Sequence, residues 1–191
     1  MITLDLLRHG ETELSGGFRG SLDDALTDRG WGEMRAATHP AQPWTLVVSS
    51  PLRRCADFAR ELADDKSLPL VQSDGLRELH FGDWEGRHAS ELMEQHAEDL
   101  GRFWSDPYGF TPPTGEPVSD FAERVLQAVE QLRLGYAGEH LLVVTHGGVM
   151  RLLLARARGL PPGDMLQVEV VHGQLSRLQI DATGELHECP C

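Results

Sequence analysis

Two histidines follow two apolar runs of the chain, and each is itself followed by glycine. His9 comes after the run 2–7 and has Arg8 beside it, and His146 comes after the run 141–145. An imidazole nitrogen can attack phosphorus, and an adjacent guanidinium can hold the phosphoryl oxygens. We therefore expect Arg8, His9 and His146 to form one site for phosphoryl chemistry.

Apolar strands that alternate with helices would position these residues. Three apolar runs are typical of buried strands, 2–7, 46–48 and 141–145, and a short strand is expected over 68–71. Their alternation with helical segments predicts an α/β fold, a three-layer α/β/α sandwich with a mainly parallel central sheet. Ligands of such sheets bind at the carboxyl ends of the strands, and both histidines lie at such ends.

Capping residues and apolar spacing indicate the helices. Thr27 is typical of an N-cap for a helix over 28–38. Ser50, followed by Pro51, is typical of an N-cap for the next helix. Further helical segments are predicted over 88–104, 121–134 and 148–157.

Two regions depart from this alternation. A proline-rich loop ends a small cap insertion, which we expect near 83–117 within a single domain, 1–191. Two last strands, over 166–171 and 174–180, are expected to form a hairpin around residues 172 and 173. The tail that follows is expected to be edge structure or frayed.

The bulk composition excludes several classes of partner. The net charge of −13 opposes binding to nucleic acid or to an anionic membrane, because both need a basic surface. No apolar run approaches the roughly 20 residues that cross a bilayer, and neither a secretory signal nor a disulfide framework is visible. We expect a cytoplasmic protein that acts on a small molecule, and a homodimer stays open.

Four motifs resemble, in the same order, those of the histidine phosphatase superfamily, whose fold is phosphoglycerate mutase-like. The motifs are Arg8–Thr12, Ser49–Arg54, Leu76–Gly86 and Val143–Gly148. The resemblance spans nearly the whole chain and implies hydrolysis of a small-molecule phosphate monoester through a phosphohistidine, with no metal and no cofactor. It implies His9 as the nucleophile, Glu78 as the general acid, and Arg8, Arg54 and His146 as the phosphoryl-binding residues.

Neighbouring residues compete for two of these roles. Arg53 points away from the apolar face of its helix whereas Arg54 lies at the flank of that face, and the family motif also places its functional arginine at Arg54. Glu85 is the rival of Glu78 in the same loop, and the family pattern favours Glu78. One carboxyl group can serve as both acid and base if burial or the bound phosphate favours its protonated form.

Four further residues are candidate substrate contacts. Thr12 occupies a position that often carries a phosphate-binding hydroxyl in the family, and Ser15 stands where mutase relatives have asparagine. Arg19 could reach the substrate from its turn, although a polar surface loop explains it equally well. The amide of Gly147, at a helix N-terminus, could donate to an anion.

Aromatic residues gather in the cap segment: Trp84, Phe103, Trp104, Tyr108 and Phe110. They could stack on a flat aromatic part of a substrate, but a small hydrophobic core for the cap is the favoured interpretation. The C-terminal residues His187, Cys189 and Cys191 lack the fourth ligand of a tetrahedral site, so we expect no metal there.

The superfamily leaves several activities open. The segments 8–13, 18–27 and 81–86 resemble the branch that dephosphorylates α-ribazole-5′-phosphate in cobalamin biosynthesis, which favours that substrate. A broad-specificity phosphatase and a phosphoglycerate mutase are alternatives, and the short chain argues against the mutase. A non-catalytic binder of a phospho-ligand is disfavoured, because binding alone needs neither His9 nor Glu78.

Overall fold

The computed structural model describes residues 1–14, 16–39 and 42–190. Within them the sheet has six strands: β1 (Ile2–Arg8), β2 (Leu46–Ser49), β3 (Leu70–Gln72), β4 (His140–Thr145), β5 (Leu175–Ile180) and β6 (Leu186–Cys189). The α-helices are α1 (Asp28–Thr38), α2 (Arg53–Lys66), α3 (Ala89–Gln95), α4 (Ala97–Ser105), α5 (Val118–Gly135) and α6 (Gly147–Ala157). Short 3₁₀ helices lie at Asp74–Leu76, Gly82–Trp84 and Pro162–Gln167. None of the described helices is both long and apolar enough to cross a membrane.

The central strands run parallel and bring both histidines to one edge of the sheet. The strand order is β3-β2-β4-β1-β5-β6. Strand β4 pairs in parallel with β1 and with β2, and its register sets Arg8 opposite Thr145. Because each histidine is the next residue after one of these partners, His9 and His146 leave adjacent strands side by side.

Alternate residues of the buried strands face two separate hydrophobic clusters. In β1, Leu6 packs in a cluster that includes Phe121 of α5 and Leu153 of α6. Its neighbour Leu7 packs in the other cluster, with Phe58 of α2. Helices therefore cover both faces of the sheet, which confirms the predicted three-layer sandwich with a mainly parallel sheet.

The N-terminal ends of the first two helices differ in how they are capped. The Thr27 hydroxyl accepts a hydrogen bond from the Gly30 amide at 3.1 Å, so the predicted cap of α1 is confirmed. The prediction that Ser50 caps α2 is wrong, because the N-cap residue is Leu52. The Ser50 hydroxyl lies 2.7 Å from Nε2 of His146 and also accepts a 3.4 Å hydrogen bond from the amide of Leu52, ahead of the first turn of α2, so it contributes to the histidine site.

The strand predicted over 166–171, and with it the hairpin around residue 172, is wrong. Residues Pro162–Gln167 form a 3₁₀ helix, and the next carbonyl groups, of Val168 and Val170, accept hydrogen bonds from arginine side chains rather than from a strand. The alternating burial of Val168 and Val170 imitates a strand in the sequence. Strand β5 pairs antiparallel with β1 and β6, and β6 forms the edge of the sheet.

The segment predicted as a cap is helical in two pieces. The single helix predicted over 88–104 is wrong, because α3 and α4 meet at His96, whose φ of −141° and ψ of 39° are not helical. Side chains of the segment, Leu92 and Phe103 among them, pack in the same cluster as α5. The segment therefore shares the core of the main body, and its role as a cap stays a prediction.

Candidate active site

His9 is buried at the exit of β1, and a backbone contact sets its tautomer. Nδ1 lies 2.8 Å from the carbonyl oxygen of Gly10. Since a carbonyl oxygen only accepts, Nδ1 carries the proton and Nε2 keeps its lone pair. Burial, and then the nearby charge of Arg54, holds the pKa of His9 well below its usual value. His9 is therefore neutral at pH 7, the form in which an imidazole is a nucleophile.

Two arginines beside His9 each keep one buried donor free. Nη1 of Arg8 donates to the carbonyl of Val170 at 2.6 Å, and the terminal nitrogens of Arg54 donate to two carbonyls of the loop 20–22. Nε of both arginines is buried and has no hydrogen-bond partner among the residues that the structure describes. Burial lowers the pKa of Arg8 to about 10, so Arg8 stays charged at neutral pH. Two such donors indicate a site for an anion.

His146 is fully buried beside His9, and the two ring centres are 5.3 Å apart. Its Nε2 lies 2.7 Å from Oγ of Ser50, and Sγ of Cys55 lies 3.7 Å from the same nitrogen. Burial, and then the charge of Arg54, holds the pKa of His146 well below its usual value. A neutral His146 can assist an anion only by donating a hydrogen bond.

The carboxylate of Glu78 is held at the N-terminus of α6. Oε2 accepts a hydrogen bond from the Gly148 amide at 2.9 Å, and Oε1 accepts one from the Leu79 amide at 3.0 Å. A Cβ on Gly148 would lie 2.2 Å from Oε1 of Glu78, so a side chain at this position would displace the carboxylate. Arg124 of α5 donates to the backbone carbonyl of Glu78 at 3.0 Å. Both ends of Glu78 are therefore fixed where it lines the same cavity as His9.

The rivals of the predicted residues have other partners. Glu85 accepts hydrogen bonds from three backbone amides of two loops, which it joins together. Arg53 is exposed and pairs with an aspartate one turn along α2. Among the described residues, the cavity of His9 is lined by Glu78 and not by Glu85. Arg54 is the buried member of the arginine pair, so the geometry favours Glu78 and Arg54 for the predicted roles.

Thr12 and Arg19 contact each other within the same cavity. Arg19 donates through Nη1 to the Thr12 hydroxyl and, at 2.8 Å, to Oδ2 of Asp24. Asp24 also lies 3.7 Å from Nη1 of Arg54, so one buried carboxylate serves two arginines. Ser15, the other candidate contact in this loop, lies outside the described residues.

A cavity of about 350 Å³ opens at His9, and two of its ionisable lining residues, Arg151 and His172, were not among the predicted site residues. Arg151 lies one helical turn after Gly147 on α6, a spacing that could have signalled a shared face. His172 lies ahead of β5, and its ring centre is 5.7 Å from that of His9. Partial burial, and then Arg8, lowers the pKa of His172. Only the antiparallel pairing of β5 with β1 brings His172 to this edge.

Three of the five aromatic residues of the cap segment form a small core, whereas Trp104 and Tyr108 are exposed, so the core interpretation is wrong for those two. Trp84 and Phe103 are buried, and Phe110 stacks on Trp84 with ring centres 5.7 Å apart. The hydrophobic-core interpretation is therefore confirmed for these three residues. The aromatic side chains that line the cavity are Phe18 and Phe81, which pack edge to face at 5.0 Å.

The C-terminal side chains considered for a metal site belong to a turn and an edge strand. Nε2 of His187 lies 3.6 Å from Oδ2 of Asp181, and the Cys189 thiol donates to the His187 carbonyl. Glu185 joins His187 and Asp181 in a group whose ligand atoms lie within 4.8 Å of one another. Exposed groups of this kind are common without a metal, and Cys191 lies outside the described residues.

The order of the motifs and the geometry of the two histidines agree with one protein family. The family model described as "Histidine phosphatase superfamily (branch 1)" matches residues 4–188. The chain belongs to the histidine phosphatase superfamily.

Several relatives of this histidine phosphatase are named as phosphatases. An adenosylcobalamin/alpha-ribazole phosphatase of Escherichia coli (strain K12) is 34% identical over 181 residues, which cover 92% of this chain and 89% of the relative. A glucosyl-3-phosphoglycerate phosphatase of Mycolicibacterium vanbaalenii is 38% identical over 170 residues, 83% of this chain and 75% of the relative. The solved structure of the alpha-ribazole phosphatase from Shigella flexneri is similar with a TM-score of 0.83 and 31% identity, over 98% of this chain and 94% of that chain. The chain is accordingly a phosphoric monoester hydrolase of this superfamily.

Proposed function

We propose that this histidine phosphatase hydrolyses a small-molecule phosphate monoester through a covalent intermediate on His9. Nε2 of His9 attacks phosphorus while Glu78 protonates the leaving oxygen, which gives a phosphohistidine and an alcohol. Glu78, now ionised, takes a proton from the water that attacks phosphorus, and inorganic phosphate leaves with His9 restored. Arg8, Arg54 and His146 stabilise the charge on the phosphoryl oxygens, and the Gly147 amide adds a donor.

One observation carries this proposal: buried, unpartnered Nε atoms of Arg8 and Arg54 lie beside a neutral His9. A buried donor without a partner costs roughly 1–3 kcal/mol, which a ligand with oxygen acceptors would recover. A phosphoryl group bonded to His9 supplies such acceptors to both arginines. The neutral state of His9 supports a nucleophile rather than a cationic anion-binding residue.

We propose α-ribazole-5′-phosphate as the substrate. The relatives from E. coli and S. flexneri that are named for alpha-ribazole phosphatase support this choice. Phe18 and Phe81 line the cavity beside Glu78, where they could contact the flat benzimidazole of the leaving group. Thr12 and Arg19 would contact the phosphate or the adjoining ribose.

A phosphorylated sugar derivative is a second candidate. The relative from M. vanbaalenii is named glucosyl-3-phosphoglycerate phosphatase. Glu78 also lines a second cavity, of about 610 Å³, whose other residues are mainly charged or polar, Asp74, Arg77 and His80 among them. Such a cavity fits a leaving group with many hydroxyls, and a broad-specificity enzyme would accept both classes.

The proposal also covers the domain organisation, the cellular location and the oligomeric state. The segment 83–117 acts as a small cap on a single domain, 1–191. The enzyme works in the cytoplasm on small molecules and without nucleic acid or membrane, which the net charge of −13 supports. A homodimer is the assembly that a measurement of molecular mass in solution will test.

Two measurements test the proposal. Steady-state hydrolysis of α-ribazole-5′-phosphate, phosphoglycerates and sugar phosphates, with a chelator present, should give the highest kcat/KM for α-ribazole-5′-phosphate. Rapid quenching with a radiolabelled ester should trap label on the wild-type protein and none on His9→Ala. Turnover without trapped label, or retained activity in His9→Ala, would contradict the covalent route. A different substrate order would contradict the substrate assignment alone.

A further inference from the structure

Two guanidinium groups converge on the first turn of α6. A Cβ built on Gly147 would lie 3.2 Å from Nη1 of Arg151 and 3.2 Å from Nε of Arg8. Both arginines also line the cavity of His9. Like charges held side by side repel each other, and the N-terminus of a helix adds a further positive potential. The arrangement therefore favours an anion at this point.

The backbone ahead of β5 accepts a hydrogen bond from each of the two arginines. Nε of Arg151 donates to the carbonyl of Val168 at 3.0 Å, and Nη1 of Arg8 donates to the carbonyl of Val170 at 2.6 Å. The side chains of both valines are buried, so the segment that carries these carbonyls is itself fixed. The two guanidinium groups are thus positioned by one short stretch of backbone.

Unlike Arg19, Arg54 and Arg124, Arg151 has no carboxylate partner among the described residues. Arg19 pairs with Asp24, and Arg124 pairs with Glu116. Within the described parts of the chain, Arg151 forms no ion pair, and its terminal amino groups form no hydrogen bond. Its full charge and its terminal donors are therefore available to a ligand.

We propose that Arg151 is a further phosphate-binding residue, which acts with Arg8 on the phosphoryl oxygens; the proposal rests on the phosphatase reaction described above. A phosphate monoester carries close to two negative charges at neutral pH. Asp24 already compensates part of the charge of Arg19 and Arg54. Arg151 supplies an uncompensated charge beside the unpartnered Nε of Arg8.

Binding of inorganic phosphate tests the proposal directly. Titration calorimetry at fixed ionic strength compares the wild-type protein with Arg151→Gln and Arg151→Lys. Loss of a charge-assisted hydrogen bond should raise the Kd of phosphate about tenfold or more in Arg151→Gln, with a smaller rise in Arg151→Lys. Arg156→Gln is the matched control, because Arg156 is exposed on the same helix and lines a different cavity. Its Kd should equal that of the wild type.

Kinetics and unfolding separate binding from a structural role. If Arg151 holds the phosphoryl group, kcat/KM should fall by a similar factor for every phosphomonoester, whatever its leaving group. The rise in Tm caused by phosphate should also shrink in Arg151→Gln. A Kd within twofold of the wild type, an equal effect in Arg156→Gln, or a loss confined to one leaving group would overturn the proposal. Because phosphate binding is measured without turnover, failure of the proposed reaction remains distinguishable.

Discussion

Replacing Gly148 with alanine should displace the carboxylate of Glu78, the proposed general acid, and so impair its function without altering its chemical group. The new Cβ would lie 2.2 Å from Oε1 of Glu78, whereas ordinary van der Waals contact begins at 3.4 Å. The carboxylate must therefore retreat by about 1 Å, and the 2.9 Å hydrogen bond from the Gly148 amide is disrupted. A displacement of about 1 Å in a catalytic group can cost roughly 100-fold in rate, or about 2.7 kcal/mol of activation free energy.

The assay compares two esters that differ in their leaving groups. We expect kcat of Gly148→Ala to fall about 100-fold on an alkyl phosphate. The loss on p-nitrophenyl phosphate should be much smaller, because that leaving group needs little protonation. Gly32→Ala is the control, since Gly32 is a helical glycine with open space at its Cβ position. Equal losses on both esters, or unchanged activity on the alkyl ester, would refute the reasoning.

Three other predictions concern ionisable groups. Glu78→Gln should reduce kcat most for esters with poor leaving groups, as a plot of rate against leaving-group pKa will show; a uniform loss would remove Glu78 from the acid role. Asp5 is fully buried, and its carboxylate lies 2.7 Å from Nε of Arg177. The substitution Asp5→Ala should therefore lower the free energy of unfolding, measured in urea, by roughly 3–5 kcal/mol. A loss under about 1 kcal/mol would contradict a stabilising ion pair. The pKa values of His9 and His146 are lowered in the folded state, so the unfolded state binds more protons below about pH 6.5. Each histidine should therefore reduce the free energy of unfolding by about 1.4 kcal/mol for every pH unit of acidification. His146→Gln should flatten that slope, and a slope equal to that of the wild type would disprove the contribution.

Local patterns in the sequence were sufficient to predict the two strands that precede His9 and His146. The apolar runs before His9 and His146 predicted two buried strands, and parallel pairing in register brought the histidines together. The cap at Thr27 could also be predicted, because a side chain bonding to an amide three residues away is a local interaction. The different positions of Arg53 and Arg54 around the helix could also be predicted, because they depend only on local helical geometry.

Two of the errors fall where a local pattern had a distant partner. Ser50 has the residue type of a helix cap, but its hydroxyl contacts His146 from another strand. Val168 and Val170 alternate in burial like a strand, but their carbonyls bind arginine side chains. In both cases a competing hydrogen-bond partner, far away in sequence, decided the structure.

By itself, the sequence determined the superfamily, the strand ends and the residues proposed for chemistry, because these depend on composition and spacing over a few residues. Only the tertiary structure decided that Arg151 and His172 join the cavity of His9, that Gly148 must lack a side chain beside Glu78, and that Asp24 serves two arginines. These features depend on which strands pair and on distances between side chains from separate elements. No periodicity along the chain encodes such distances, since they arise from long-range packing.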